Sequence, residues 1–428
     1  MSIKPTSLRL PIILCFFLFT LAAFSQIRIV SPYSRFGIGD LADNNNAWSL
    51  SMGQLGIGLR SPTHVNYLNP ASYTAFDSLS LVFDGGFHGE FVTLKSDYES
   101  VNRNYASLGY ILFGMPVNKW WKTSLGLIPF SDVGYSVANY TEYPNSGTVV
   151  RLYNGSGGIS RLYWGNGFRI VKNLSVGVNI SYLFGSMDRE AVVLFPDSLY
   201  SMNIKELFHV TMNDLYYSFG AQYRMRIKKD IFVNLGAVYS PSLSMSSKAD
   251  MLATTFLLNS SGVESTRDTL LKLEGTKGRI VIPMNIGGGF TFEKTDKWVI
   301  GVDFKWQNWE KFRAFNMSDS LVNSWQINVG GEITPKIDNY NNYLARVHYR
   351  LGFIIGKTYL NLRGQDLNEY AINFGLGFPL RGMKTMVNLG AQYGVRGTTA
   401  EHLIRESNFK IVIGFSIYER WFVKRKYY

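Results

Sequence analysis

The sequence has one cysteine, Cys15, and it lies inside an apolar run near the start. The rest of the chain has no thiol, which excludes disulfide frameworks, thiol catalysis and cysteine-based metal sites together. Charge is also scarce. Asp, Glu, Lys and Arg make up 17% of residues, against about a quarter in soluble chains. Beyond residue 25 there is no apolar run of about eighteen residues, so no helix there can cross a membrane. G-x-S-x-G, H-E-x-x-H and P-loop patterns are missing. The histidines, His64, His88, His209, His348 and His402, show no metal spacing. His88-x-Glu90 reads more simply as part of a polar wall. No catalytic residue, metal or cofactor is therefore expected.

What is present is aromatic and glycine-rich: 15% Phe, Trp and Tyr, with 41 glycines. At the start, Lys4 and Arg9 lead into LPIILCFFLFTLAAF (10–24), and Ala23-Phe24-Ser25 has the small-x-small form of a cleavage site. This reads as a secretory signal peptide over 1–25, with a mature chain from Gln26. Low charge, many aromatics and glycines, and a leader together point to an outer-membrane β-barrel.

Alternation supports that reading. In LSVGVNISYLFG (174–185), Leu174, Val176, Val178, Ile180, Tyr182 and Phe184 share one face, opposite Ser175, Gly177, Asn179, Ser181 and Gly185. YAINFGLGF (370–378), VNLGAQYG (387–394), WVIGVDFKW (298–306) and FKIVIGFSI (409–417) repeat the pattern. Period two with a large apolar face and a small polar one is the signature of a transmembrane strand. Short basic turns such as VNKWW (117–121) and IKKDI (227–231) alternate with longer polar stretches at 138–156, 188–208, 248–278, 313–322, 358–368 and 397–407, read as extracellular loops. The pattern predicts an all-β antiparallel barrel of about fourteen strands over 79–422, with a periplasmic tail at 423–428. Trp421 and Phe422 would sit at the periplasmic interface.

The net charge of +12 raises nucleic acid as a partner. The positive charge is dispersed among turns, lumen and tail, with no basic helix or aromatic platform, so nucleic acid is set aside. Lys and Arg beside membrane strands meet the phosphates of outer-membrane lipid and lipopolysaccharide instead. Projected inward, the alternation gives a lumen lined by Asp84, His88, Glu90, Arg161, Arg169, Gln222, Arg224, Asp303, Lys305 and Glu332. Arg346, His348 and Arg350 form one inward row on the eleventh strand. These charges either pair to hold the wall or meet an anionic ligand. Glu332 is expected to pair with Arg346.

In the third strand the pattern breaks at Pro129-Phe130-Ser131-Asp132-Val133-Gly134. Proline gives the ladder no donor, and Asp132 is costly against lipid. The break is either a bulge or an inward kink that opens the wall. Residues 26–78 carry many Gly, Asn and Ser and too few apolar residues to fold alone. They contain a candidate short helix around Ala47–Met52 and the strong turn signal Asn69-Pro70. Such a segment is ordered if it lies inside the barrel, where the polar wall satisfies its backbone.

The glycine-rich N-terminal segment, the turn Asn69-Pro70-Ala71 directly before the first strand, and Leu127-Ile128-Pro129-Phe130 resemble the FadL/TodX family of outer-membrane transporters. The usual Asn-Pro-Ala-Gly is Asn-Pro-Ala-Ser here. The SPYSRFGIGDL start and RWFVKRK end resemble the Bacteroidota variant, which includes barrels that scaffold protein machinery. The resemblance implies a fourteen-stranded barrel, a lumen hatch carrying the Asn-Pro-Ala turn, and a kinked third strand that gives a ligand lateral exit. It implies transport of long-chain fatty acids or similar hydrophobic molecules. The alternative is a non-transporting barrel with envelope-protein partners, as in secretion or barrel-assembly machinery.

Overall fold

The computed structural model describes residues 29–421 apart from 43–45, 145–146, 198–200, 260–261, 340 and 381–383. The expected signal peptide and periplasmic tail, and Phe422, fall outside the described residues. Fourteen strands form the wall. They are β1 (Ser80–Lys95), β2 (Ser100–Pro116), β3 (Trp121–Tyr143), β4 (Gly147–Arg169), β5 (Leu174–Leu194), β6 (Asn203–Lys228), β7 (Ile231–Ser240 and Leu243–Leu258), β8 (Glu264–Ile282 and Asn285–Lys294), β9 (Trp298–Gln307), β10 (Ser324–Ile333), β11 (His348–Leu362), β12 (Gln365–Pro379), β13 (Met386–Arg396) and β14 (Arg405–Arg420). Neighbours pair antiparallel, and β14 pairs β1 from Arg405↔Lys95 to Arg420↔Ser80, which closes the ring.

Alternation sets inside from outside. Along β12, Asn373 is fully buried while Phe374 is 51% exposed. Phe87, Phe91, Trp164, Phe290, Phe353 and Phe409 stand outward in the same belt. The inward amides and hydroxyls satisfy one another across strands: Asn373 donates to Gln392 at 3.0 Å, and Asn388 to Ser416 at 3.0 Å. Trp120, Trp121 and Phe168 stack at the end that carries the short turns. Trp421 lies at that end too, 49% exposed.

Several expected loops are strand. Residues 138–143 and 147–156, 188–194 and 203–208, and 248–258 and 264–278 continue the β3–β4, β5–β6 and β7–β8 ladders, and 358–368 contracts to the β11–β12 turn. β6 has 26 residues, whereas a crossing needs about 9–11. Above the lipid a strand needs no apolar face, so the period-two signal fades while the backbone ladder continues. Residues 264–277 are exposed on both faces. The result is a sheet of β3–β8 standing tall on one side of the barrel. Its last two strands break together at Pro241 and Pro283. Ser240 pairs Asn285 below the break and Leu243 pairs Ile282 above it. Neither proline can donate to the ladder.

Residues 29–42 and 46–76 run inside the ring. Asn46 caps a one-turn helix, α1 (Ala47–Leu50), by accepting from the Ser49 N–H at 2.9 Å. Asn69 caps the 3-10 turn Pro70–Ala75. The segment meets the wall where the wall has glycine. A Cβ on Gly352 would lie 2.0 Å from the Gly53 nitrogen, and one on Gly330 2.2 Å from the Met52 carbonyl oxygen. Towards the long-strand end, Tyr33 and Ile38 of this segment pack with Trp309, Phe312 and Leu321 from the β9–β10 connection and with Phe130, Met245 and Ile280 of the wall. An apolar core thus fills that mouth.

Gly352→Val should force residues 50–56 off the wall, at the roughly 1–3 kcal/mol typical of overpacking. We expect a lower melting temperature and faster proteolysis within 46–76, with the folded barrel band retained on unheated gels. Gly288 has open space beyond its Cα, so Gly288→Ala should leave both measurements unchanged.

Candidate functional site

The interior is built from backbone groups of the N-terminal segment and side chains of the wall. Asp303 on β9 accepts the N–H groups of Gly56, Ile57 and Gly58 at 2.7, 2.8 and 3.4 Å. Gln222 on β6 donates to the Ile57 carbonyl at 2.9 Å, and Thr291 on β8 to the Gly58 carbonyl at 3.0 Å. The Asn69 amide donates to the carbonyls of Ile57 (2.8 Å) and Ala221 (3.2 Å), while its oxygen accepts from Ala71 N–H (3.1 Å). Asn69-Pro70-Ala71 therefore ties one loop of the segment to another and to β6. At the short-turn end Asp77 accepts from Lys384 at 2.9 Å and Tyr418 at 2.8 Å. Burial alone would raise the Asp77 carboxyl, but the hydrogen bonds from Lys384 and Tyr418 outweigh it and hold the group below its ordinary value.

The break in β3 has a definite form. A bulge between Pro129 and Ser131 leaves β3 paired with β4 along its whole length. The β2–β3 ladder instead stops at Ile111↔Leu127, and beyond it the two strands part. The freed edge of β3 is taken by the N-terminal segment: Asp40 and Leu41 pair Asp132 and Ser131, Ala42 N–H donates to the Phe130 carbonyl at 3.0 Å, and Ser31 N–H to the Gly134 carbonyl at 2.8 Å.

Behind this gap lies a cavity of about 150 Å³, where Asp40, Glu90, Asp132, Glu369 and Glu406 stand with Arg396, Lys410 and His88 among apolar side chains such as Leu41, Leu50, Val92, Tyr110 and Val412. Its centre is an ion cluster. Arg396 reaches Asp40 at 2.6 Å, Glu406 at 2.6 Å and Ser31 at 2.9 Å, and the Ser31 hydroxyl donates to Glu406 at 2.7 Å. A second cavity, about 290 Å³, runs between the segment and the wall and touches strands from β3 to β13. Tyr216, Trp306, Trp325 and Tyr359 line it beside Arg161, Lys305, Gln326 and Lys357. Arg161 sits over the rings of Phe130 and Tyr216, 4.5 and 5.3 Å from their centroids.

The expected basic row is divided. His348 and Arg350 face inward, but Arg346 precedes β11 in a 3-10 turn (Tyr343–Arg346). The pairing is corrected accordingly: Glu332 stands opposite Arg350 in the ladder and binds Arg350 at 2.6 Å and His348 at 2.9 Å. Arg350 also donates to Asn388 at 2.8 Å. These charges satisfy one another. Asp303 belongs to the segment's anchor, with Lys305 further along β9 in the second cavity. Glu406 was missed because 397–407 was read as loop, whereas Arg396 was overlooked although the inward parity of Asn388, Gly390, Gln392 and Gly394 extends to it.

This architecture is that of the outer-membrane hydrocarbon channels. The chain matches the crystal structure of the Pseudomonas putida toluene transporter TodX at TM-score 0.57 and 15% identity, covering 90% of this chain and 100% of that one. It matches the Ralstonia pickettii toluene transporter TbuX at 0.57 and 13%, covering 88% and 98%. It matches the CymD monoaromatic hydrocarbon channel at 0.57 and 12%, covering 89% and 98%. At these identities the likeness establishes the fold. A search of curated protein sequences returns no match. The BamG family model matches residues 7–428, and the chain belongs to that family.

Removing one member of a buried ion pair strands the other, at about 3–5 kcal/mol, whereas removing both costs less. Arg350→Gln should therefore lower the melting temperature more than Arg350→Gln combined with Glu332→Gln. Thermal melts of the detergent-solubilised protein test the order.

Proposed function

We propose that the protein is a non-transporting barrel that serves as a structural subunit of an envelope protein complex, such as barrel-assembly or secretion machinery. The observation that carries this reading is the chamber behind the wall gap. A path for hydrophobic molecules is lined mainly by apolar groups, whereas this cavity sets five carboxylates among Leu41, Leu50, Val92, Tyr110 and Val412. The segment that blocks it is held by the Asp40–Arg396–Glu406 cluster. Burying apolar solute against such groups strips them of solvent without replacing it. The apolar core towards the long-strand end supports the same reading, since it packs across the axial route. BamG family membership leans the same way.

The second reading is transport of a hydrophobic compound, with long-chain fatty acids the finer case. Three features favour it: the channel fold, the parted β2 and β3 at Pro129–Gly134, and the aromatic cavity beside Arg161. In this reading residues 26–78 act as the hatch, with Asn69-Pro70-Ala71 as its turn. Ligand leaves sideways past Pro129, Phe130, Ser131, Asp132 and Gly134. Outer-membrane lipid and lipopolysaccharide surround the belt in either case.

Purification from native outer membranes in mild detergent separates the two. A stoichiometric assembly with other envelope proteins, together with no saturable binding of a radiolabelled fatty acid or toluene, is expected. A lone barrel that binds either compound saturably would overturn the subunit reading in favour of transport.

A further inference from the structure

The tall sheet of β3–β8 has two lateral edges above the lipid belt, and they differ. Along β8, residues 264–278 pair only with β7. That edge is interrupted by three register shifts, at Thr266/Thr269, Thr269/Leu271 and Leu273/Thr276. It also carries Glu264, Arg267, Asp268, Lys272, Glu274 and Lys277. Bulges and charges are the usual means of stopping a free edge from pairing with another chain.

The β3 edge lacks both devices. From Ser131 to Tyr143 its register with β4 is unbroken. The stretch Ser136–Tyr143 (SVANYTEY) has one charge, Glu142, and is rich in aromatic and β-branched residues, the composition that favours strand pairing. Tyr140 is 70% exposed. Which backbone groups face outward follows from the bonds just below. Phe130 and Gly134 offer their carbonyls, and Gly134 its N–H, to the N-terminal segment. With no bulge between, the same parity turns the N–H and C=O of Ser136, Ala138, Tyr140 and Glu142 outward. Among the described residues, no backbone bond from another segment reaches them.

The edge also has a record of accepting added chain. Residues 31 and 40–42 already lie along it between Phe130 and Gly134, and the free stretch continues that line. We infer that Ser136–Tyr143 is a docking edge for an extended segment of a partner protein, which adds as a strand to the outer end of β3. The partner is recognised through its backbone, with side chains alternating beside Val137 and Tyr140, as in strand addition generally. Because the sheet stands clear of the lipid belt at the end opposite the short turns, the donor strand comes from the extracellular side. This inference rests on the subunit reading and identifies the surface through which the complex forms.

Ala138→Pro and Tyr140→Pro each remove one outward N–H and leave the bonds to β4 intact, since proline is tolerated on a sheet edge. Tyr140→Ala removes the side chain but keeps the N–H. The full-length variants are purified from native membranes after melting curves confirm folding. Each proline should reduce recovery of the stoichiometric partner by about tenfold or more, the loss expected for one or two backbone hydrogen bonds, while Tyr140→Ala retains most of it. Amide exchange of the wild-type protein supplies a readout independent of the variants. Residues 136–143 should exchange at least about tenfold more slowly in the assembly than in the isolated barrel, with 264–278 unchanged. An assembly indifferent to both prolines, or with unprotected 136–143, overturns the docking edge and leaves the subunit reading standing. Absence of any assembly overturns both. An assembly made only of copies of this chain overturns the assignment of the donor strand to another protein.

Discussion

A polypeptide threaded through a barrel has no water to turn to, so each N–H and C=O it carries must find a partner in the wall. That obligation organises this molecule. The N-terminal segment is too poor in apolar residues to fold alone, and it is ordered by inward polar side chains from opposite sides of the ring. The Asp303 carboxylate gathers three successive N–H groups of the Gly56–Gly58 loop. Asn69 bridges that loop to β6, and Asn179 on β5 accepts from Tyr73 at 2.8 Å while donating to the Tyr67 carbonyl at 2.9 Å. The wall is polar inside because its tenant is backbone.

Two different forces close the interior side by side. At the tall end the seal is apolar, with Trp309 and Phe312 packed on Tyr359, Ile280 and the aromatic residues of the segment. At the wall gap the seal is ionic, with one guanidinium shared between Asp40 and Glu406. Apolar packing is non-directional and is strengthened by salts such as sulfate, whereas the ion cluster depends on the geometry of its charged hydrogen bonds.

Much of the wall was legible in the sequence because lipid imposes a strict rule on every second residue. Strand number, closure and the inward placement of Asp303, Glu332, His348 and Arg350 all follow from it. So does the structural weight of Asn69, since an Asn-Pro turn has few conformations. Where lipid ends, so does the rule. The outer ends of β3 to β8 are held by backbone ladders that any polar side chain tolerates, and residues 264–277 look like a loop for that reason. Glu406 was hidden by the same boundary, because it lies just past the last clear alternation. Arg346 was misplaced by two residues of turn geometry, enough to move it off the inward row and give Glu332 to Arg350.

The close fit between wall glycines and the backbone inside the barrel limits what the wall can carry. Gly177, Gly236, Gly330 and Gly352 each stand where a single added carbon would strike a main-chain atom of residues 52–70. Clearance that small means that the wall and the segment constrain each other position by position. A side chain added at any of these four wall positions is met by main chain, which cannot change rotamer to make room. The glycines of β5, β7, β10 and β11 are thus as much part of the segment's seat as the polar side chains that bond to it.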